Sequence, residues 1–273
     1  DLFKLGNKWY LVYSTFSEKF VTHYRMSDKL SGPWTSPIED TFDGRAFYAA
    51  KTAQVGDKRM AFAWVPTKRG ESDFGQYEWG GNFIAHEIDQ TTDNKLIVKP
   101  VDELINIFNK EVINEKINKI EIENYEGEKS YVIDGMKDTC MIEAVIEFSE
   151  GVRSFGIGLR QDSALANGYY LRFEPFYNRI VADMWPRRIS GVNQWYVDGD
   201  KPFMVELERP FDYKSLKDNK VHIRVVADGS IICLYANDIT ALTMRAYNVN
   251  RTNWGFFVKD GSIRVSDIHM YEV

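Results

Sequence analysis

The sequence predicts an all-β chain in two parts, on three observations. Short runs that alternate apolar and polar residues, rich in aromatic and β-branched side chains, recur along nearly the whole length. Turn pairs such as Gly6-Asn7, Gly56-Asp57 and Asp228-Gly229 punctuate them. The pattern breaks once, near residues 101–113, where apolar residues recur at helical spacing. A length of 273 residues suits one large or two medium domains.

Taken in order, residues 8–14 form the first clear strand, entered from the Gly6-Asn7 turn, and residues 20–26 alternate as a second. Gly32-Pro33 breaks the chain. Strands follow over 47–52 and 59–65, joined by Gly56-Asp57, and then over 82–88 and 95–99. Strands at this spacing suit propeller blades or a sandwich. Val101, Leu104, Ile105, Phe108 and Val112 then fall at helical spacing behind Pro100, which predicts a linker helix over 101–109. From about residue 120 the strand signal returns, over 139–148, 154–160, 169–173, 179–184, 221–226, 231–235, 254–258 and 263–271. The pair 221–226 and 231–235 reads as a hairpin across Asp228-Gly229, and the whole stretch as an antiparallel sandwich. Periodicity alone reaches no further than a β-rich chain of two domains.

Composition narrows the function. Charged residues are 27% and hydrophobic residues 44%, ordinary for a globular chain. The net charge of −6, with no basic block, argues against nucleic acid as a partner. No apolar run approaches the roughly 20 residues of a membrane span. Aromatics reach 14%, which suits both a β core and platforms for stacking on sugars. Cys140 and Cys233 are too few for a disulfide framework; a single bridge is open, and two buried thiols fit better. His23, His86, His222 and His269 lack the spacing of a metal site, so no metal or cofactor is expected. The compartment stays open, with a slight lean to the cytoplasm over secretion.

The run Phe42-Asp-Gly-Arg-Ala-Phe-Tyr-Ala-Ala-Lys-Thr52, followed by residues 59–64 ending on Trp64, resembles a sugar-binding strand pair of glycoside hydrolase family 32, the β-fructosidases. Tyr77 to Ile88 is similar to the segment that follows the last blade there, and 227–247, with Arg245-Ala-Tyr247, to the family's sandwich. The sandwich signal taken alone also suits a lectin-like laminin-G module. The resemblance implies the last blades of a five-bladed β-propeller at 1–100, incomplete in this chain. A linker helix and connection would follow at 101–118, and a C-terminal antiparallel β-sandwich at 119–273.

The same resemblance implies a retaining hydrolase of β-fructofuranosyl linkages, with sucrose or a fructo-oligosaccharide as substrate and the missing N-terminal blades as a partner. Oligomers are also expected, because an incomplete propeller leaves strand edges open. The family's acid Glu sits just before a segment like residues 1–15, so the chain is expected to start just after it. No Asn-Asp-Pro, Arg-Asp-Pro or Glu-Cys sequence occurs in the chain. A retaining pair needs two carboxylates about 5 Å apart, so no catalytic residue is assigned and the chain alone is expected to be inactive. A non-catalytic carbohydrate-binding protein on the same scaffold is the alternative. A propeller hydrolase of arabinose or xylose polymers fits the strand at 47–52 less well.

Four residues carry the implied sugar contacts. Asp43 matches a family aspartate that accepts from sugar hydroxyls, and its plainer reading is an Asp-Gly turn. Phe47 and Tyr48 match an aromatic pair, of which alternation turns one toward the site and the other into packing. Trp64 matches a tryptophan of the fructose subsite, and is otherwise core. Glu71, Asp73 and Glu78 are weaker candidates for the rim, and Arg45 and Lys51 read as a solvated strand edge. Trp185, Trp195 and Tyr196 are further stacking candidates in the sandwich.

Overall fold

The computed structural model describes residues 1–15, 21–113, 117, 119–162, 167–185 and 207–273. Two small antiparallel sheets come first. One is ordered β1 (Leu2–Leu5), β2 (Lys8–Ser14), β3 (Thr22–Ser27). The other is ordered β4 (Tyr48–Val55), β5 (Lys58–Lys68), β6 (Tyr77–Gln90), β7 (Leu96–Lys99). They occupy the stretch expected to form the last blades of a propeller. Their shared core is aromatic, with Phe3, Tyr10, Tyr24, Phe42 and Phe47 all buried. The Gly56-Asp57 turn closes the β4–β5 hairpin with Gly56 at φ 61°, a conformation that costs glycine nothing.

The linker helix is shorter than its apolar spacing predicts. α1 covers Asp102–Ile105 alone, without a side-chain cap. The reason lies in burial: of the helically spaced residues only Val101 and Phe108 are covered, while Leu104 is 50% exposed. A turn whose apolar face is only partly packed, and which has no side-chain cap, does not propagate.

The remaining eleven strands form one continuous sheet folded into a sandwich. β8 (Lys110–Glu111) and β9 (Lys119–Ile133) both pair with the last strand, β18 (Asn253–Glu272). In one half, β18 continues into β11 (Ser154–Gln161), β12 (Gly168–Glu174), β13 (Arg179–Trp185) and β14 (Glu208–Pro210). In the other it continues into β10 (Thr139–Phe148), β15 (Lys220–Asp228), β16 (Ile231–Ala236) and β17 (Thr240–Arg245). The register of β9 on β18 shifts between Lys259 and Gly261, which marks the crossing from one half to the other. The inner faces enclose a core that includes Ile142, Ile146, Phe155, Leu171, Val225, Leu234 and Trp254. Cys140 and Cys233 are buried free thiols. Among the described residues no helix is long and apolar enough to cross a membrane.

β17 joins the two parts. All six of its residues are buried. Leu242 and Met244 face the sandwich core, whereas Ala241 belongs to the aromatic core of the blades. A strand covered on both faces carries an unbroken apolar run, interrupted here by Thr243 and Arg245 on the blade side.

Candidate functional site: an aromatic pocket on the last blade

A shallow, half-open recess with a cavity volume of about 30 Å³ lies at the end of the second small sheet. Arg45, Tyr48, Trp64, Pro66, Tyr77, Glu78 and Trp79 line it. Tyr48 and Trp64 face each other across the β4–β5 pair, with rings edge-on at 5.9 Å. Trp79 stands on the other side of Tyr48 at 6.2 Å and is 70% exposed. The guanidinium of Arg45 lies 5.1 Å over the ring of Tyr77. Local backbone aims these groups. The β4–β5 register shifts just after Tyr48, and Ala49 takes a left-handed φ of 54°. Such bulges redirect a side chain at the price of local strain. Opposite Pro66, a Cβ on Gly81 would come within 1.9 Å of the Val65 carbonyl oxygen, so only glycine permits β6 to approach β5 here.

The four residues picked out by resemblance do not share this pocket. Tyr48 and Trp64 line it. Phe47 is fully buried, its ring 4.6 Å from that of His86. Asp43 is 1% exposed and both its oxygens are taken. Oδ1 accepts from the backbone N–H of Thr243 at 2.7 Å. Oδ2 accepts from the Thr243 hydroxyl at 2.5 Å and lies 3.1 Å from His86 Nε2. A carboxylate only accepts, so His86 carries its proton on Nε2 and the Tyr235 hydroxyl, 2.8 Å away, donates to Nδ1. Burial pushes the Asp43 carboxyl up, but the bonds from His86 and Thr243 outweigh it and hold it below the usual carboxylate range. Burial and the Asp43 charge push the Cys233 thiol well up. Asp43, His86 and Cys233 bring atoms of metal-ligand type within 4.8 Å of one another, a grouping invisible in sequence spacing. With both imidazole nitrogens and both carboxylate oxygens engaged by protein, the group is a closed hydrogen-bonded hub.

Two further polar contacts hold the blades to the sandwich. Arg245 donates from Nη2 to the Val65 carbonyl and Asn82 Oδ1, both at 2.7 Å, and from Nε to the Pro66 carbonyl at 3.1 Å. Asp73 is buried and accepts from the Tyr169 hydroxyl at 2.6 Å and the N–H groups of Tyr247 and Asn248. Of the three acidic rim candidates, therefore, Asp73 is an anchor, Glu78 reaches the pocket and Glu71 is exposed. Arg45 is 3% exposed, against the expected solvated edge, with Tyr77 at the start of β6 packed on it; Lys51 is exposed. Trp185 is exposed at the end of β13, while Trp195 and Tyr196 lie outside the described residues. Sequence reasoning gave Trp79, Tyr77 and Pro66 no part in a site. The signals were present: Trp79 in a Gly-rich run beside Glu78, and Arg245-Ala-Tyr247 as a charged interruption of a buried strand.

Lys68 is buried behind Tyr77 and donates to the Asp73 carbonyl at 3.0 Å. Burial, opposed by the pull of Asp73 and aided by repulsion from Arg45 and Arg245, lowers its amine from 10.5 to about 8. The folded chain thus releases this proton before the unfolded one does. Between pH 8 and 10.5 the unfolded state binds more protons, so folding gains stability as pH rises through that window. The stability of the wild type relative to Lys68→Met is expected to climb by on the order of 3 kcal/mol across it, read by urea titration at each pH. A gap that stays constant with pH would show that the amine is not displaced.

Comparison with known proteins follows this geometry. Residues 103–272 match the family model described as "Glycosyl hydrolases family 32 C terminal". No curated protein sequence matches the chain. Among solved structures, the exo-inulinase of Aspergillus awamori superposes with a TM-score of 0.65 at 14% identity, covering 99% of this chain and 55% of that one. The sucrose-6-phosphate hydrolase of Lactobacillus gasseri gives 0.62 at 14% identity, covering 98% and 54%. The fructan 1-exohydrolase IIa of Cichorium intybus in complex with 1-kestose gives 0.58 at 13%, covering 96% and 57%. At these identities the likeness is one of fold, and the chain spans about half the length of these structures. With a family model matched over more than half of its residues, the chain belongs to glycosyl hydrolases family 32.

Proposed function

We propose that this chain is part of a retaining glycoside hydrolase that cleaves β-fructofuranosyl linkages of sucrose or fructans, with the catalytic carboxylates outside its 273 residues. The pocket of Tyr48, Trp64 and Trp79 carries the reading. It offers aromatic faces to the C–H groups of a sugar ring, with Glu78 to accept from hydroxyls and Arg45 to donate. Asp43 serves this wall from behind, as support rather than contact. Glu78 is the one carboxylate lining the pocket among the described residues. A retaining reaction requires a second carboxylate about 5 Å away. The rest of the propeller would supply the reacting pair. The same shortage of carboxylates favours a second reading, a non-catalytic fructan binder on this scaffold.

Incubating the 273-residue chain with sucrose, inulin and levan is expected to release no fructose above buffer. The complete parent polypeptide is expected to release it, with the β-anomer formed first in a proton NMR time course. Turnover by the short chain would overturn the location of the carboxylates. An α-anomer first from the parent would overturn retention. A parent that binds 1-kestose but never cleaves would establish the binder.

A further inference from the structure

All seven residues that line the aromatic pocket come from the blades. The groups that hold the pocket's strands in place come from the sandwich. Thr243 and Arg245 sit two apart on the blade-facing side of β17. Thr243 binds both oxygens of Asp43, through its N–H and its hydroxyl. From Asp43 the chain turns at once into β4: Phe47 N–H bonds back to the Gly44 carbonyl, the Phe47 ring packs on His86, and Tyr48 follows. His86 is itself fixed by Tyr235 of β16. Arg245 grips the next strand, β5, at the carbonyls of Val65 and Pro66, directly after Trp64. It also holds Asn82, which faces Val65 from β6. One sandwich strand thus grips two of the strands that build the pocket, β5 and β6, and the segment that leads into the third, β4, each within a few residues of a lining aromatic.

We propose that Thr243 and Arg245 are positioning residues that set the spacing of Tyr48 and Trp64, so that the sandwich tunes sugar affinity without touching the sugar. The proposal rests on the sugar-binding reading of the pocket. Both contacts are buried and polar, hence directional: a hydrogen bond fixes an angle and a register where apolar packing tolerates sliding. Arg245 forks onto two adjacent carbonyls, a geometry that lysine cannot copy. Positioning errors of about 1 Å remote from a ligand are enough to cost large factors in affinity or rate.

The test uses the parent protein with Thr243→Val, which keeps the backbone N–H on Asp43 and the side-chain volume but removes the hydroxyl, and Thr243→Ser, which restores it. Two readouts are taken on folded protein at a temperature well below melting: 1-kestose affinity by calorimetry, and near-ultraviolet circular dichroism of the aromatic pocket, compared with a Trp64→Phe background to isolate that ring. Thr243→Val is expected to weaken 1-kestose about tenfold and to change the Trp64-dependent signal, with both restored in Thr243→Ser. Arg245→Lys is expected to move both readouts in the same direction. A Thr243→Val protein that melts earlier but binds 1-kestose and shows the dichroism of the wild type overturns the proposal. If the wild type fails to bind 1-kestose, the sugar reading falls, and the dichroism alone still decides whether β17 positions the pocket.

Discussion

Asp43→Ala is expected to destabilise the chain by about 3–5 kcal/mol, measured by urea or thermal unfolding. The substitution strands the Thr243 N–H, the Gly44 N–H and the His86 Nε2 proton in a site with no water access, since Asp43 and His86 are at most 1% exposed, and it leaves the Thr243 hydroxyl only the Cys233 sulfur at 3.3 Å. Each orphaned buried donor costs on the order of 1–3 kcal/mol. Because Thr243 and His86 belong to β17 and β6 while Asp43 precedes β4, the loss falls on the seam between the two parts. Unfolding is expected to lose cooperativity, the blades opening ahead of the sandwich.

Asp43→Asn separates charge from connectivity. The amide keeps an acceptor for the Thr243 N–H, and its NH₂ is tolerated if His86 moves its proton to Nδ1 and donates to Tyr235. A cost of about 1–2 kcal/mol is expected. A sugar-contacting Asp43 makes the opposite prediction: normal melting of Asp43→Ala with a weakened ligand. An Asp43→Ala protein that melts with the wild type would return Asp43 to the sugar site.

The sequence was most readable where local pattern and tertiary environment agree. Clean alternation over 139–148 became β10, with its apolar residues buried, because one face of that strand meets a core. The Asp228-Gly229 pair became a tight hairpin, with Gly229 at φ 52°. The helix over 101–109 stops at Ile105 because apolar spacing states which residues share a face, not how much of that face is covered. Asp43 shows the same limit at the site. An aspartate before a glycine in a turn looks solvated, and what buries it is Thr243, 200 residues away. Polar anchors between modules leave only a weak trace in one sequence: a charged or hydroxylated residue inside an otherwise apolar strand, as at Thr243 and Arg245. Tyr48 and Trp64 were picked out by resemblance, and their pairing across one hairpin is a local feature. Trp79 was not, because the shift in register between Pro66 and Lys68 that carries β6 around Trp64 depends on backbone that no periodicity describes.

Trp79→Ala is expected to separate recognition from folding more sharply than any other substitution in the pocket. The side chain is 70% exposed, with its ring 6.2 Å from that of Tyr48, so its removal leaves no cavity in a core. Stability should stay within about 0.5 kcal/mol of the wild type. Affinity is another matter: an exposed indole beside a ring-lined pocket is covered only when a ligand arrives, so its burial counts wholly toward binding. A loss of about 2 kcal/mol, roughly thirtyfold in the dissociation constant of 1-kestose, is expected for the parent protein by calorimetry. Trp64→Ala provides the contrast. That ring is partly buried between Tyr48 and the β5–β6 ladder, so it should lose stability and affinity together. If Trp79→Ala binds 1-kestose as tightly as the wild type, the sugar lies elsewhere, and the pocket between Tyr48 and Trp79 is a gap where further blades pack. If Trp79→Ala instead melts markedly earlier, the indole is a structural element of the sheet that carries it.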